Sequence, residues 1–183
     1  MSTLFPYPSG VVTPETETYL LLDSTQDFLF AAKRFIDLTE HPGKDAFAYC
    51  QQVRPLLTQL YAAGLHLQPI PKTDVEDADD IEDPAFHNIG ILLSDLGINT
   101  YYWEAYNPLI TAMEEPELGL GWLADDLQDI YEDLKRELHV IKQARTSAEV
   151  EMACRTLHLG FQGHWGNHCV NALRALHYLR RDK

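Results

Sequence analysis

The sequence predicts an all-α fold, an up-and-down bundle of about four long helices with one short extra helix and an aromatic loop. Apolar residues return at three- and four-residue steps over four long stretches, as one buried helix face requires. No period-two run of β-branched residues competes with them. With 183 residues, 45% hydrophobic and 23% charged, the chain has the length and composition of a single soluble globular domain, 1–183.

The first stripe, Leu21/Leu22, Phe28/Leu29, Ala32 and Phe35/Ile36, predicts a helix from Glu15 to Thr39, closed by His41-Pro42-Gly43. Phe47, Cys50, Val53, Leu57 and Leu60 predict a second helix. It should kink or restart at Pro55, which has no N–H and crowds the preceding turn. Phe86 to Leu96 predicts the short helix, ended by Gly97. The segment from Tyr101 to Pro108 predicts the aromatic loop; its rings, Trp103 among them, either cover the bundle or line a ligand pocket. A helix from Trp122 to Gln143 turns Leu123, Leu127, Ile130, Leu134, Leu138 and Ile141 inward, and Asp125 and Asp126 suit the positive end of its dipole. The last helix opens at Thr146 or Ser147 with Glu149 as capping signal and runs to Arg181, with Cys154, Leu157, Phe161, Trp165, His168 and Ala172 on one face. The short connection around Arg145 makes these two helices antiparallel neighbours.

Twenty-eight acidic and fourteen basic residues leave a net charge of −14. Such a surface repels phosphate backbones and anionic membranes, so the expectation is no nucleic acid and no membrane. Residues 1–8 hold no basic-then-apolar pattern of a signal peptide, and the three cysteines are scattered, which together predict a cytoplasmic location. The run Asp74 to Asp83 is nearly all acid and is expected as a solvated loop, dispensable for folding. A calcium-loop reading fails because the glycine at the sixth position and the terminal glutamate are missing.

One constellation carries chemistry. His164 and His168 lie four residues apart, on nearly one helix face, within Gly163-His164-Trp165-Gly166-Asn167-His168. Carboxylates on the preceding helix, Asp126 and Asp129 with Asp133 and Glu137, are their natural partners. A set of His164, His168, Asp126 and Asp129 would suit a divalent transition metal. The same histidines also serve as neutral core groups that hydrogen-bond an aspartate and fix the packing register, so a cofactor is not required. Trp165, Gly166 and Trp103 complete the candidates, as ligand-binding or packing positions. No nucleophile elbow, phosphate-binding glycine loop or dinucleotide fingerprint is present.

The segments Tyr102–Pro108, Leu123–Lys135 and His164–His168 with Ala172–His177 resemble a bacterial family described as domain of unknown function 5063. The resemblance implies a cytoplasmic, all-helical protein in which Asp125, Asp126, Asp129, Trp165, Gly166 and His168 act jointly, and it implies no activity. Two functions follow as expectations. The first is a helical adaptor without catalysis that binds a protein partner. The second is a metal- or small-molecule-binding enzyme with a His/Asp site between the last two helices. The adaptor ranks first because the motifs assemble no complete catalytic set.

Overall fold

Thr13 caps the first helix, α1 (Pro14–Leu20), accepting a hydrogen bond from the Thr16 amide while Pro14 supplies a fixed φ at the start. The chain then turns at Leu21-Leu22 and restarts as α2 (Asp23–Glu40). The single helix expected from Glu15 to Thr39 is therefore two. Gln26 makes the break tolerable: its buried amide donates to the Leu20 carbonyl (2.6 Å) and accepts from the Phe5 amide (2.8 Å). Residues 5–70, 81–105 and 117–180 are described by the computed structural model.

Asp45 caps α3 (Ala46–His66), which runs on through Pro55 without restarting. Pro55 and Gln51 both sit on the exposed face, so the Gln51 carbonyl that the proline leaves unpaired is within reach of water. The short helix is shorter than expected, α4 (Ile89–Leu93), and continues as a 3-10 turn, Ser94–Thr100, broken where Gly97 takes a positive φ of 55°.

The aromatic segment is a strand rather than a loop. β1 (Tyr101–Ala105) pairs antiparallel with β2 (Leu118–Trp122), with Tyr102 opposite Gly121. Glycine is needed there because a Cβ at 121 would lie 2.4 Å from the Tyr102 ring, which lies over it. Asn107 and Pro108, like residues 74–80 of the acidic run, fall outside the described residues.

Helix α5 (Leu123–Gln143) buries Leu123, Leu127, Ile130, Leu134, Leu138 and Ile141 as its periodicity requires. Thr146 and Glu149 form the reciprocal capping box that opens α6 (Ser147–Gly163). The last helix does not run through. It breaks at His164 (φ −140°, ψ −93°) and resumes as α7 (Trp165–Tyr178). Gly166 lets the two pieces close up, since a Cβ there would sit 1.9 Å from the Phe161 carbonyl oxygen. The Trp165 indole, fully buried, donates back to the Leu157 carbonyl (3.1 Å) and packs on Phe28 and Phe161. Among the described residues the fold is thus mostly α-helical, with three long helices (α2, α3 and α5), a fourth broken into α6 and α7, the short α1 and α4, and a β-hairpin, around a core drawn mainly from α2, α3, α5, α6 and α7.

Candidate metal centre

The break at His164 resets the helical phase. The buried side of α7 is Trp165, Gly166, Cys169, Ala172 and Leu176, so Gly166 faces inward rather than away from the stripe. His168 is moved from the middle of the stripe to its flank, with 24% of its side chain exposed, beside α5. His164 lies at the junction and is more open, at 55%. Their rings meet edge to face at 5.0 Å.

Three carboxylates of α5, one on each successive turn, face these two rings. His168 Nδ1 is 2.9 Å from Asp126 Oδ1, and His168 Nε2 is 3.3 Å from Asp129 Oδ2. His164 Nδ1 is 2.7 Å from Asp133 Oδ2. Residue numbers fall along α5 as they rise along α7, which makes the two helices antiparallel. Asp126 is nearly fully buried and has a second partner, the Tyr102 hydroxyl, which donates to Oδ2 at 2.5 Å. Burial and the Asp126 carboxylate push the Tyr102 phenol far above its usual range, so it is a neutral donor.

Asp126 also shapes the charge of His168. The hydrogen bond to Asp126 raises the imidazole above its ordinary value, against a smaller lowering by burial, with Asp126, Asp129 and Asp125 adding Coulombic support. Asp129 is raised as well, chiefly by burial and partly by Asp125 and Asp133, with His168 and His164 pulling the other way. Without a cation, ionising both members of the His168–Asp129 contact is therefore opposed by desolvation of the carboxylate.

Asp129, His164 and His168 each place one donor atom within 4.8 Å of the others. Tetrahedral zinc, with bonds of about 2.0–2.1 Å, holds its donors about 3.3–3.4 Å apart. The 3.3 Å between His168 and Asp129 already matches that edge, and the exposed His164 ring has room to swing in. Asp126 and Asp133 stand behind the histidines, where carboxylates fix the ring orientation of metal-bound imidazoles. The structure thus brings His164, His168 and Asp129 together and sets Asp126 one step back. Trp165 and Gly166 are buried at the helix junction, and Trp103 is on the outside of the hairpin, 67% exposed.

Glu137 lies apart from this set, with its carboxyl raised to about 7 by burial despite Arg136, while Asp133 and Asp83 add to the rise. Cys154, one turn before His158, is pushed up to about 12 by burial, then by Glu137 and Glu151, and is no nucleophile. His158 bonds the Leu67 carbonyl instead. Tyr102 was not singled out from the sequence, because its partner Asp126 lies 24 residues away and no spacing rule links a strand tyrosine to a helix aspartate.

The profile of the family described as domain of unknown function 5063 matches residues 20–182, and the chain belongs to that family. The crystal structure of protein BF1032 from Bacteroides fragilis is similar, with a TM-score of 0.66 over 90% of this chain and 99% of that one. At 18% identity that likeness concerns the fold alone. No curated protein matches the sequence.

Proposed function

We propose that this member of the family is a metal-dependent helical protein that holds a divalent transition metal with Asp129, His164 and His168 between α5 and α7. Two imidazoles and one carboxylate suit zinc, iron, cobalt or manganese and leave coordination positions for water or substrate. Such a metal supplies a Lewis acid or an activated water for chemistry on a small molecule. The observation that carries this reading is the convergence of the three donors within 4.8 Å. Each imidazole is also bonded through Nδ1 to its own aspartate. Because the metal displaces the His168 proton, affinity should rise with pH through the raised imidazole value.

The test is metal analysis of protein purified without a histidine tag, with melting curves in zinc and in chelator. Zinc at about 100 times its Kd should stabilise the fold by about 2.7 kcal/mol. His168→Ala and Asp129→Asn should abolish that gain. Asp126→Asn should weaken binding about 10- to 100-fold. If zinc, manganese, cobalt and ferrous iron all leave stoichiometry and melting unchanged, the seam only pins the helices.

A second reading, a non-catalytic adaptor for a protein partner, is supported by the outer face of the hairpin. Tyr101, Trp103, Leu118, Leu120 and Trp122 all point to one side and are exposed. A photo-crosslinker at position 120 in the native cell should trap one defined partner, and Leu118→Asp should abolish the adduct. For location, we place the protein in the cytoplasm: its three cysteines are unpaired and buried, as in a reducing compartment. No described helix is long and apolar enough to cross a membrane.

A further inference from the structure

A cavity of about 370 Å³ opens where the edge of β1 away from β2 meets the last turns of α7. Its volume is within the range of small-molecule sites. Its charge is opposite in sign to that of the chain as a whole. Arg174 and Arg180 line it together with Tyr101, Trp103 and Tyr178, and among the described residues no carboxylate does. The chain as a whole carries twice as many acids as bases, so two guanidinium groups without an acid is a local reversal of sign. Glu104, on the same strand, is turned away and accepts from the Asn171 amide at 2.8 Å.

Several of the lining groups keep binding capacity for a ligand. Arg174 is exposed and has no ion pair or hydrogen bond among the described residues. Arg180 is anchored by one nitrogen, which donates to the His177 and Leu179 carbonyls, and keeps the rest of its fork. Tyr101 stacks on Trp122 at 5.8 Å and is held rigid. Trp103 and Tyr178 are 67% and 70% exposed, and His177 meets the Tyr178 ring at 5.2 Å in a T-shaped contact.

We propose that this cavity binds a small planar aromatic anion. The ring lies against Trp103 and Tyr178, and the carboxylate or phosphate is held between Arg174 and Arg180. Guanidinium forks match both anions in bidentate geometry, and indole and phenol faces favour a flat ring over an aliphatic body. This site is distinct from the metal centre, although Tyr102 touches both: its ring lines the cavity and its hydroxyl holds Asp126.

Calorimetric titration with adenosine 5′-monophosphate, indole-3-carboxylate and uncharged adenosine tests the assignment. At least one anion should saturate with a Kd below about 1 mM, and adenosine should bind at least about tenfold more weakly. Saturation by the phosphate alone identifies a nucleotide-like source, and by the carboxylate alone an aromatic acid. Arg174→Gln with Arg180→Gln, and separately Trp103→Ala, should each weaken binding about tenfold or more. These exposed positions should leave circular dichroism and zinc affinity unchanged, so the outcome is independent of the metal reading. No saturable heat from either anion below about 5 mM overturns the proposal. So does equal affinity in the wild type and the arginine double variant.

Discussion

Glu151 on α6 and Asp126 on α5 are both nearly fully buried carboxylates, and they are held in different ways. Glu151 accepts from the Thr16 hydroxyl at 2.6 Å and the Ser147 hydroxyl at 3.0 Å, and those hydroxyls also bond each other at 2.9 Å. These hydroxyl partners are small and neutral and bond one another, so the network staples α1 to α6. Asp126 accepts from Tyr102 and from an imidazole whose other nitrogen faces a third side chain, Asp129. The first arrangement joins two helices through neutral hydroxyls. The second passes through His168 and converges with His164 on a partly exposed point. Burial of a carboxylate alone does not distinguish a staple from a site; the unspent donor on its partner does.

The largest expected effect lies at the junction that assembles the second arrangement. Gly166→Ala drives a methyl group into the Phe161 carbonyl, a backbone clash no side-chain rotation relieves. It should cost about 3 kcal/mol or more and scatter the imidazoles. Gly163→Ala, three residues earlier and with nothing within 4 Å of its Cβ, should be neutral or stabilise by up to about 1 kcal/mol. Equal melting temperatures for the two variants would show that the helix break does not depend on Gly166.

Next comes the staple. Glu151→Ala should lose about 2–3 kcal/mol in urea unfolding, because the buried Thr16 hydroxyl and the half-buried Ser147 hydroxyl lose their carboxylate acceptor. The loss should be the same with zinc or chelator. His168→Ala should lose less, about 1–2 kcal/mol in the metal-free protein, since Asp126 keeps Tyr102 and the site is partly open to water. In zinc the gap between His168→Ala and wild type should widen. A loss that changes with zinc in Glu151→Ala, beside a zinc-independent loss in His168→Ala, reverses the comparison.

The capping box at the start of α6 and the seam should respond to pH with opposite sign. His168 has a raised folded value, so its stabilisation is complete below the ordinary imidazole value and is lost as pH rises through the folded one. Asp129, also raised, acts in the same sense: its contribution is present below the ordinary carboxylate value and fades as it ionises. At the start of α6 the Glu149 carboxyl is lowered by the Arg145 and Thr146 amides and by the Arg145 charge, in spite of its burial. Its stabilisation is present above the ordinary carboxylate value and is lost as pH falls through the lowered one. Unfolding curves should therefore show His168→Gln converging on wild type at alkaline pH, and Glu149→Gln converging at acid pH. Parallel pH profiles for both variants would refute the assignment of these charges.

The staple and the seam differ in how far the sequence discloses them. The capping box was readable because Thr146 and Glu149 are three residues apart, and local hydrogen bonds follow local spacing. The approach of His168 to Asp126 and Asp129 was readable because two amphipathic helices joined by a short turn must pack antiparallel. The first interruption was not readable, and Gly160, Gly163 and Gly166 marked the second only as one of two alternatives, a break or a close backbone approach. Leu21-Leu22 continues the helical period, and only the distant amide of Gln26 compensates for the turn there. At the α6/α7 break the apolar residues stay in good helical phase, and Trp165 just beyond it fills the core against Phe28. The hairpin escaped because its inward face is Tyr102, Glu104 and two glycines, which show no alternation of apolar with polar residues.

The smallest effect tests whether the hairpin belongs to the seam at all. Tyr102→Phe keeps the ring over Gly121 and removes only the hydroxyl that donates to Asp126. The carboxylate retains His168, so the loss is one hydrogen bond to a charged group, partly offset by relaxation, about 0.5–1.5 kcal/mol. Asp126 then holds the imidazole less firmly, and zinc affinity should fall by up to about tenfold, the lower end of what outer partners contribute. Urea midpoints and zinc titration on the same preparation separate the two consequences. A stability loss with unchanged affinity makes Tyr102 a strut for the strand alone. A loss of both ties the orientation of His168 to a residue of β1, and so ties the metal seam to the wall of the arginine-lined cavity.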